Sequence, residues 1–329
     1  MKIWYSLIAV LILVIVAWLG VSTLQLTALF GVIIPYAALT AFLVGFIYRV
    51  VKWGQSPVPF SIPTTCGQQQ SLPWIKQDKI ENPTTTWGVI GRMMLEILLF
   101  RSLFRNTTTE KRGEQLAFGS AKWLWLGSLA FHWSMLIIVV RHLRFFVDPV
   151  PGAIQGLAAL DSFLQVGVPL LYMTDLFIVM ALTYLFLRRV MLPQIKYISL
   201  AADYFPLFLL LGIAISGMLM RYFIKVDIVS VKQLTMGLVH LQPAASTAVG
   251  TIFYIHLFLI CSLAVYFPWS KLMHSGGVFL SPTRNMANTS RMERYINPWN
   301  YEVMTHSYAE YEDEFRDKMR KAGLPLEKE

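Results

Sequence analysis

The chain has 329 residues, of which 56% are hydrophobic and only 14% charged, with 21 Phe, 14 Tyr and 10 Trp. A soluble domain carries about a quarter charged residues, so this balance excludes an ordinary globular protein and points to the bilayer. The net charge of +9 does not indicate nucleic-acid binding, because the basic residues mostly flank apolar runs, as positive-inside topology requires.

In chain order, the first apolar run covers residues 3–20, after Met1 and Lys2. It is long, and no small-x-small cleavage site follows it, so it reads as a membrane span rather than a signal peptide. A second run covers 28–51. The polar stretch after it, with Pro57, Pro59, Pro63, Pro73 and Pro83, cannot span. Within that stretch, residues 87–105 mix apolar side chains with Arg92, Glu96, Arg101 and Arg105, the pattern of an amphipathic helix on a membrane surface or a partner. Further spans are expected at 123–147, 165–187, 204–222 and 251–271, with a short loop containing Asp148, Pro149, Pro151, Gly152 and Asp161 after the third. From 273 onward the chain is charged and partly helical by pattern. The reading is therefore an all-α membrane protein with six transmembrane helices. It divides into 1–51 (two spans), 52–122 (a cytoplasmic loop), 123–272 (a four-helix membrane core) and 273–329 (a cytoplasmic tail). Lys and Arg crowd 52–122, the end of the fourth span and the end of the sixth, which places both termini in the cytoplasm.

Four of the six histidines fall in two of these runs. His132 and His142 lie ten residues apart in the third span, about 15 Å along a helix axis. His256 and His274 lie eighteen residues apart around the sixth, about 27 Å if the helix is unbroken, close to the ~30 Å hydrocarbon thickness. Histidine inside a membrane marks function by default. With antiparallel spans, His132 faces His274 toward the cytoplasm and His142 faces His256 toward the outside. Each pair suits the two axial positions of a haem iron, and two stacked haems make a transmembrane electron path. Ten and eighteen residues do not match in length, and a kink at Pro268 is expected to absorb part of the difference. Arg141 and Arg144 flank His142 and suit haem propionates, while snorkelling to the interface accounts for them equally well. Asp175 is expected near the middle of the fourth span, His240 and His306 on the surface, and Cys261 in packing. Cys66 is a loop thiol. Two distant cysteines form no C-x-x-C-H attachment, so the haems would be b type.

The spacings H-x9-H (His132, His142) and H-x17-H (His256, His274), with the F-P-x-S-x-L-x-H run of Phe267, Pro268, Ser270, Leu272 and His274, resemble the NarI-like cytochrome b family, the γ subunits of respiratory nitrate reductase. The resemblance implies a haem-binding helical bundle with one extra N-terminal span and the same histidine pairing. The soluble stretches 57–76 and 276–291, and INPWNYEV with the tail after it, resemble one branch, the DsrM-type membrane cytochromes of the sulfite reduction-associated Dsr complex. That branch implies a quinol-linked oxidoreductase of the cell inner membrane. It oxidises menaquinol near the outer haem and sends electrons inward to an iron–sulfur subunit related to heterodisulfide reductase. It also implies a c-type cytochrome, further membrane subunits, and a role in dissimilatory sulfur metabolism. Other readings are a cytochrome b of a nitrate or heterodisulfide reductase complex, a transporter with histidines in its pathway, and a structural anchor in which the histidines need no pairing.

Overall fold

The fold is taken from a computed structural model that describes residues 2–56, 67–245, 247–280, 285–289, 291–292 and 304–328. Five helices among these residues are long and apolar enough to cross a bilayer: α1 (Lys2–Thr23), α2 (Leu29–Gly54), α5 (Lys122–Phe145), α9 (Ala201–Ile224) and α11 (Thr251–Trp269). Between α2 and α5 lie α3 (Thr86–Leu99), α4 (Arg101–Arg105) and a hairpin of β1 (Thr107–Arg112) and β2 (Gln115–Ser120). The remaining helices are α6 (Gly152–Asp161), α7 (Met173–Met191), α8 (Pro193–Ile198), α10 (Ile228–Val239), α12 (His274–Leu280) and α13 (Tyr308–Lys321).

Named contacts fix how the long helices run. Ser6 donates to the Ala201 carbonyl at 2.8 Å, so α1 and α9 start at the same end. Tyr222 bonds to Asp175 at 2.8 Å and Tyr204 to the Arg189 carbonyl at 3.4 Å, so α7 runs antiparallel to α9. A Cβ on Gly127 would meet the Tyr184 ring at 2.5 Å, while Arg141 pairs with Asp175 at 2.7 Å, so α5 is antiparallel to α7. Gly31 packs on Tyr254 and Gly45 on Pro268, so α2 and α11 run together in one direction. The bundle therefore has a first end with Lys2, Lys122, Arg189 and Lys271, and an opposite end with the connections 24–28, 146–172 and 225–250.

Three expectations change. The fourth span is not helical from 165: α7 begins at Met173, with Asp175 in its first turn and Arg188 and Arg189 in its last. Those three charges keep its nineteen residues out of the set of clearly apolar spans, and Asp175 sits near the opposite end rather than mid-helix. The stretch 87–105 is two helices, because Phe100 adopts a left-handed backbone (φ 50°, ψ 48°) that ends α3 and starts α4. His256 and His274 do not share one unbroken helix. Pro268 lacks an N–H and sits in a 3-10 turn, Phe267–Trp269; Ser270 is extended and caps the next turn through its Oγ, accepting from Leu272 N at 3.1 Å. His274 then opens the short helix α12.

Two features carried no clear sequence signal, the hairpin at 107–120 and helix α6 in the loop after α5. In the tail, α13 begins with a capping box. Ser307 accepts from Glu310 N at 3.3 Å, and the Glu310 carboxylate accepts from Ser307 N at 2.8 Å. Cys261 is buried inside α11, as packing requires. Residues 57–66 with Cys66, and 281–284, 290 and 293–303 from the other motif stretches, lie outside the described residues.

Candidate functional site

The four membrane histidines fall into two groups, one toward each end of the bundle. His132, on α5, and His274, at the start of α12, have ring centroids 5.9 Å apart, with planes at 81°. Toward the opposite end, His142 on α5 and His256 on α11 lie within electrostatic range of each other. His256 is buried at 8% exposure. His142 is exposed.

Each imidazole is tethered at the same atom. His132 Nδ1 lies 2.7 Å from the Ser128 carbonyl, His142 Nδ1 2.7 Å from the Ile138 carbonyl and His274 Nδ1 2.7 Å from the Lys271 carbonyl. A carbonyl only accepts, so Nδ1 must carry the proton in all three. His256 Nδ1 lies 2.8 Å from Ser216 Oγ, a hydroxyl that also lies 2.7 Å from the Gly212 carbonyl. In the three carbonyl-bound imidazoles the proton is on Nδ1 and the Nε2 lone pair is free, and His256 is hydrogen-bonded at the same Nδ1 atom. A donor held in one tautomer by a hydrogen bond at its other nitrogen is how metal-ligating histidines are prepared.

The fit to a haem follows from the donor set. Among the described residues no cluster of three or more His, Cys, Asp or Glu could hold a bare metal ion. Two imidazoles alone suit a metal whose other positions are already filled, as in a porphyrin. The 5.9 Å between the His132 and His274 rings is on the scale of two metal–imidazole bonds of about 2 Å plus the ring radii. At the other pair, a Cβ on Gly217 would lie 3.3 Å from His256 Cε1, so a small residue is needed beside that ring.

Arg141 is drawn into a buried network. Its Nε lies 3.0 Å from Asp161 and its Nη2 2.7 Å from Asp175 and 3.1 Å from Thr174. Asp161 also accepts from Thr174 N at 2.9 Å and Thr174 Oγ1 at 2.6 Å, and Asp175 from Tyr222 at 2.8 Å. Two protein carboxylates thus engage the Arg141 guanidinium, for which pairing with a propionate and snorkelling to the interface were both expected. Arg144 donates to the Tyr172 hydroxyl at 3.1 Å and has a buried Nε without a partner. Tyr172 is stacked between Arg141 at 3.6 Å and Arg221 at 4.0 Å. Burial alone would raise its phenol pKa, but Arg144 and Arg221 outweigh burial and hold it below the ordinary tyrosine value.

A model of the nitrate reductase gamma subunit family matches residues 84–294, well over half of the chain and all four histidines. The chain belongs to the nitrate reductase gamma subunit family. The match begins just before α3 and leaves α1 and α2 outside it. A relative from Archaeoglobus fulgidus, named Hdr-like menaquinol oxidoreductase cytochrome b-like subunit, is 48% identical over 279 residues, covering 82% of this chain and 83% of the relative. A relative of the same name from Archaeoglobus profundus is 42% identical over 275 residues, covering 81% of each.

Of the residues singled out by sequence, the structure brings His132 to His274, places His142 near His256, and sets Arg144 two residues beyond His142. It leaves His240 and His306 exposed. Sequence reasoning missed Ser216 as a histidine partner, and Tyr172, Thr174 and Tyr222 as network members. Ser216 lies 40 residues from His256, so no local pattern announces the contact. Asp161, noted only as a loop residue, was a detectable signal once Arg141 was known to be deep in the same bundle.

Proposed function

We propose that this chain is the cytochrome b subunit of a menaquinol-linked membrane oxidoreductase. It holds two b haems, one between His132 and His274 and one between His142 and His256. The observation that carries the reading is the shared tether: four imidazoles in two groups, each hydrogen-bonded at Nδ1. The names of the Archaeoglobus relatives support the quinol-linked role. A haem held by two imidazoles supplies one-electron transfer at an iron with no open position. The chain's own residues hold and orient it. The four tethers fix the rings, Gly217 allows close approach to His256, and the unpartnered guanidinium nitrogen of Arg144 suits a propionate.

The same reading places the first end in the cytoplasm of an inner-membrane protein. Of the 28 lysines and arginines, only Arg141, Arg144, Arg221, Lys225 and Lys232 belong by chain order to the opposite end. It also makes α7 a sixth crossing, because α7 lies antiparallel against two apolar spans over most of its length, from Tyr184 at Gly127 to Asp175 at Arg141. Both termini are then cytoplasmic. Menaquinol is oxidised near His142 and His256, and electrons leave past His132 and His274 to a cytoplasmic iron–sulfur subunit of the heterodisulfide reductase type. A c-type cytochrome and further membrane subunits complete the complex, in dissimilatory sulfur metabolism of the DsrM kind.

The test is reduction of the purified complex by a water-soluble menaquinol analogue, followed at the haem absorption bands. Rapid reduction is expected. A complex whose haem is reduced by dithionite but takes no electrons from the quinol would refute the quinol-linked role.

A further inference from the structure

The segment between α2 and α5 reaches the inner histidine pair directly. The Phe100 ring stands edge-on to His132, with centroids 4.8 Å apart and planes at 90°. On the same imidazole, the Phe131 ring makes a second edge contact at 4.8 Å and 78°. The Nδ1 tether to Ser128 sets one edge of the ring; the two phenyl groups oppose its rotation about the Cβ–Cγ bond. His132 is thus held more tightly than a tether alone would hold it.

Phe100 is placed at a conformational cost. It is a bulky residue with φ 50° and ψ 48°, a left-handed backbone that favours glycine. The surrounding bonds over-determine this position. Trp125 and Trp133, both on α5, donate their indole N–H groups to the Leu99 carbonyl at 2.6 Å and the Leu98 carbonyl at 3.0 Å. These are terminal carbonyls of α3 with no intrahelical partner. On the far side of the elbow, the Glu96 carboxylate accepts from Ser102 N at 3.0 Å and Ser102 Oγ at 2.7 Å. Arg101 at 3.0 Å, and Arg105, both pair with the buried Glu81. The loop of Glu81 is in turn bonded to the segment after α12, through Asn288 N to the Pro83 carbonyl and Asn288 Nδ2 to Asn82 Oδ1, each at 2.8 Å.

We propose that Phe100 is a positioning residue for His132, and that the α3–α4 elbow ties the loop between α2 and α5 to the inner haem ligand. This rests on the proposed ligand role of His132. The strain fits the inference: glycine would satisfy the backbone at 100, and the chain uses phenylalanine where the ring is needed against the imidazole.

The experiment is a redox titration, with low-temperature electron paramagnetic resonance, of the purified complex carrying Phe100→Gly. Glycine keeps the left-handed elbow and removes only the ring, and Phe100→Tyr serves as the conservative rescue. The inner haem is identified as the signal lost in His132→Ala. The expected result is that Phe100→Gly keeps both haems, shifts the reduction equilibrium of the inner one by about tenfold (59 mV for one electron) and changes its low-spin signal. The outer haem should stay unchanged, and Phe100→Tyr should restore the inner signal. Two haems present with the inner signal and potential unmoved in Phe100→Gly would overturn the proposal. Equal shifts at both haems would also overturn it, since they would mark a general loosening. Absence of haem from the wild-type protein would instead defeat the ligand reading beneath it.

Discussion

The two ends of the bundle prepare the same kind of nitrogen by different means. At the opposite end, His142 bonds to the Ile138 carbonyl four residues earlier in its own helix, and next to it a network ties four helices together: Arg141 on α5, Asp161 on α6, Thr174 and Asp175 on α7, and Tyr222 on α9. Ser216 joins α9 to α11 through the imidazole itself. At the first end, His132 and His274 bond only to carbonyls three or four residues earlier in their own segments, and ring contacts with Phe100 and Phe131 do the rest. At the opposite end, His256 and the network next to His142 depend on how helices are assembled. The inner group depends on local backbone shape, above all on the break at Pro268 that turns His274 toward His132.

The strongest way to break this contrast is Arg141→Ala. It leaves the buried carboxylates of Asp161 and Asp175 without their cation, and removing one partner of a buried pair costs about 3–5 kcal/mol. Thermal unfolding in detergent should show the loss, and the outer histidine pair should fail before the inner. A more local probe is Ser216→Ala. It removes the Ser216 hydroxyl that holds His256 Nδ1 and should weaken cofactor retention at the outer group by roughly 10- to 100-fold. Cofactor retention during dilution, compared with the wild type, measures it.

The inner end has its own probe in Gly45→Ala. A Cβ there would lie 2.9 Å from two ring atoms of Pro268, which cannot rotate away, so α2 and the helix break must separate. Overpacking of this kind costs about 1–3 kcal/mol. The inner haem spectrum should change and the outer one should not, and equal changes at both would show that the two ends are not independent. The smallest effect is expected from Ser307→Ala, which removes the cap of α13 at about 1 kcal/mol. Faster amide exchange confined to α13, with both haem signals intact, is the expected outcome.

Much of this was legible in the sequence. Apolar length and composition marked five of the six expected spans. Histidine inside apolar runs, with its spacing, picked out the four imidazoles that the fold groups two and two. What escaped is long-range or backbone-driven. The partners of Arg141 come from α6 and α7, 20 and 34 residues away, and the first of these helices was read as a loop. Phe100 has no sequence mark of a left-handed elbow, because glycine or asparagine is the usual signal. Pro268 was legible as a kink. That it would end the helix altogether depends on Ser270 capping the next turn and on the close packing of Gly45, neither of which is local to the proline.

The most direct measurement is the number of b haems per chain by pyridine haemochrome assay, for the wild type and for His132→Ala and His256→Ala. The account predicts two haems with a low-spin spectrum in the wild type, and one in each variant, with the inner signal lost from the first and the outer from the second. A colourless wild-type protein after expression with ample haem, or single variants that retain both haems, would contradict it.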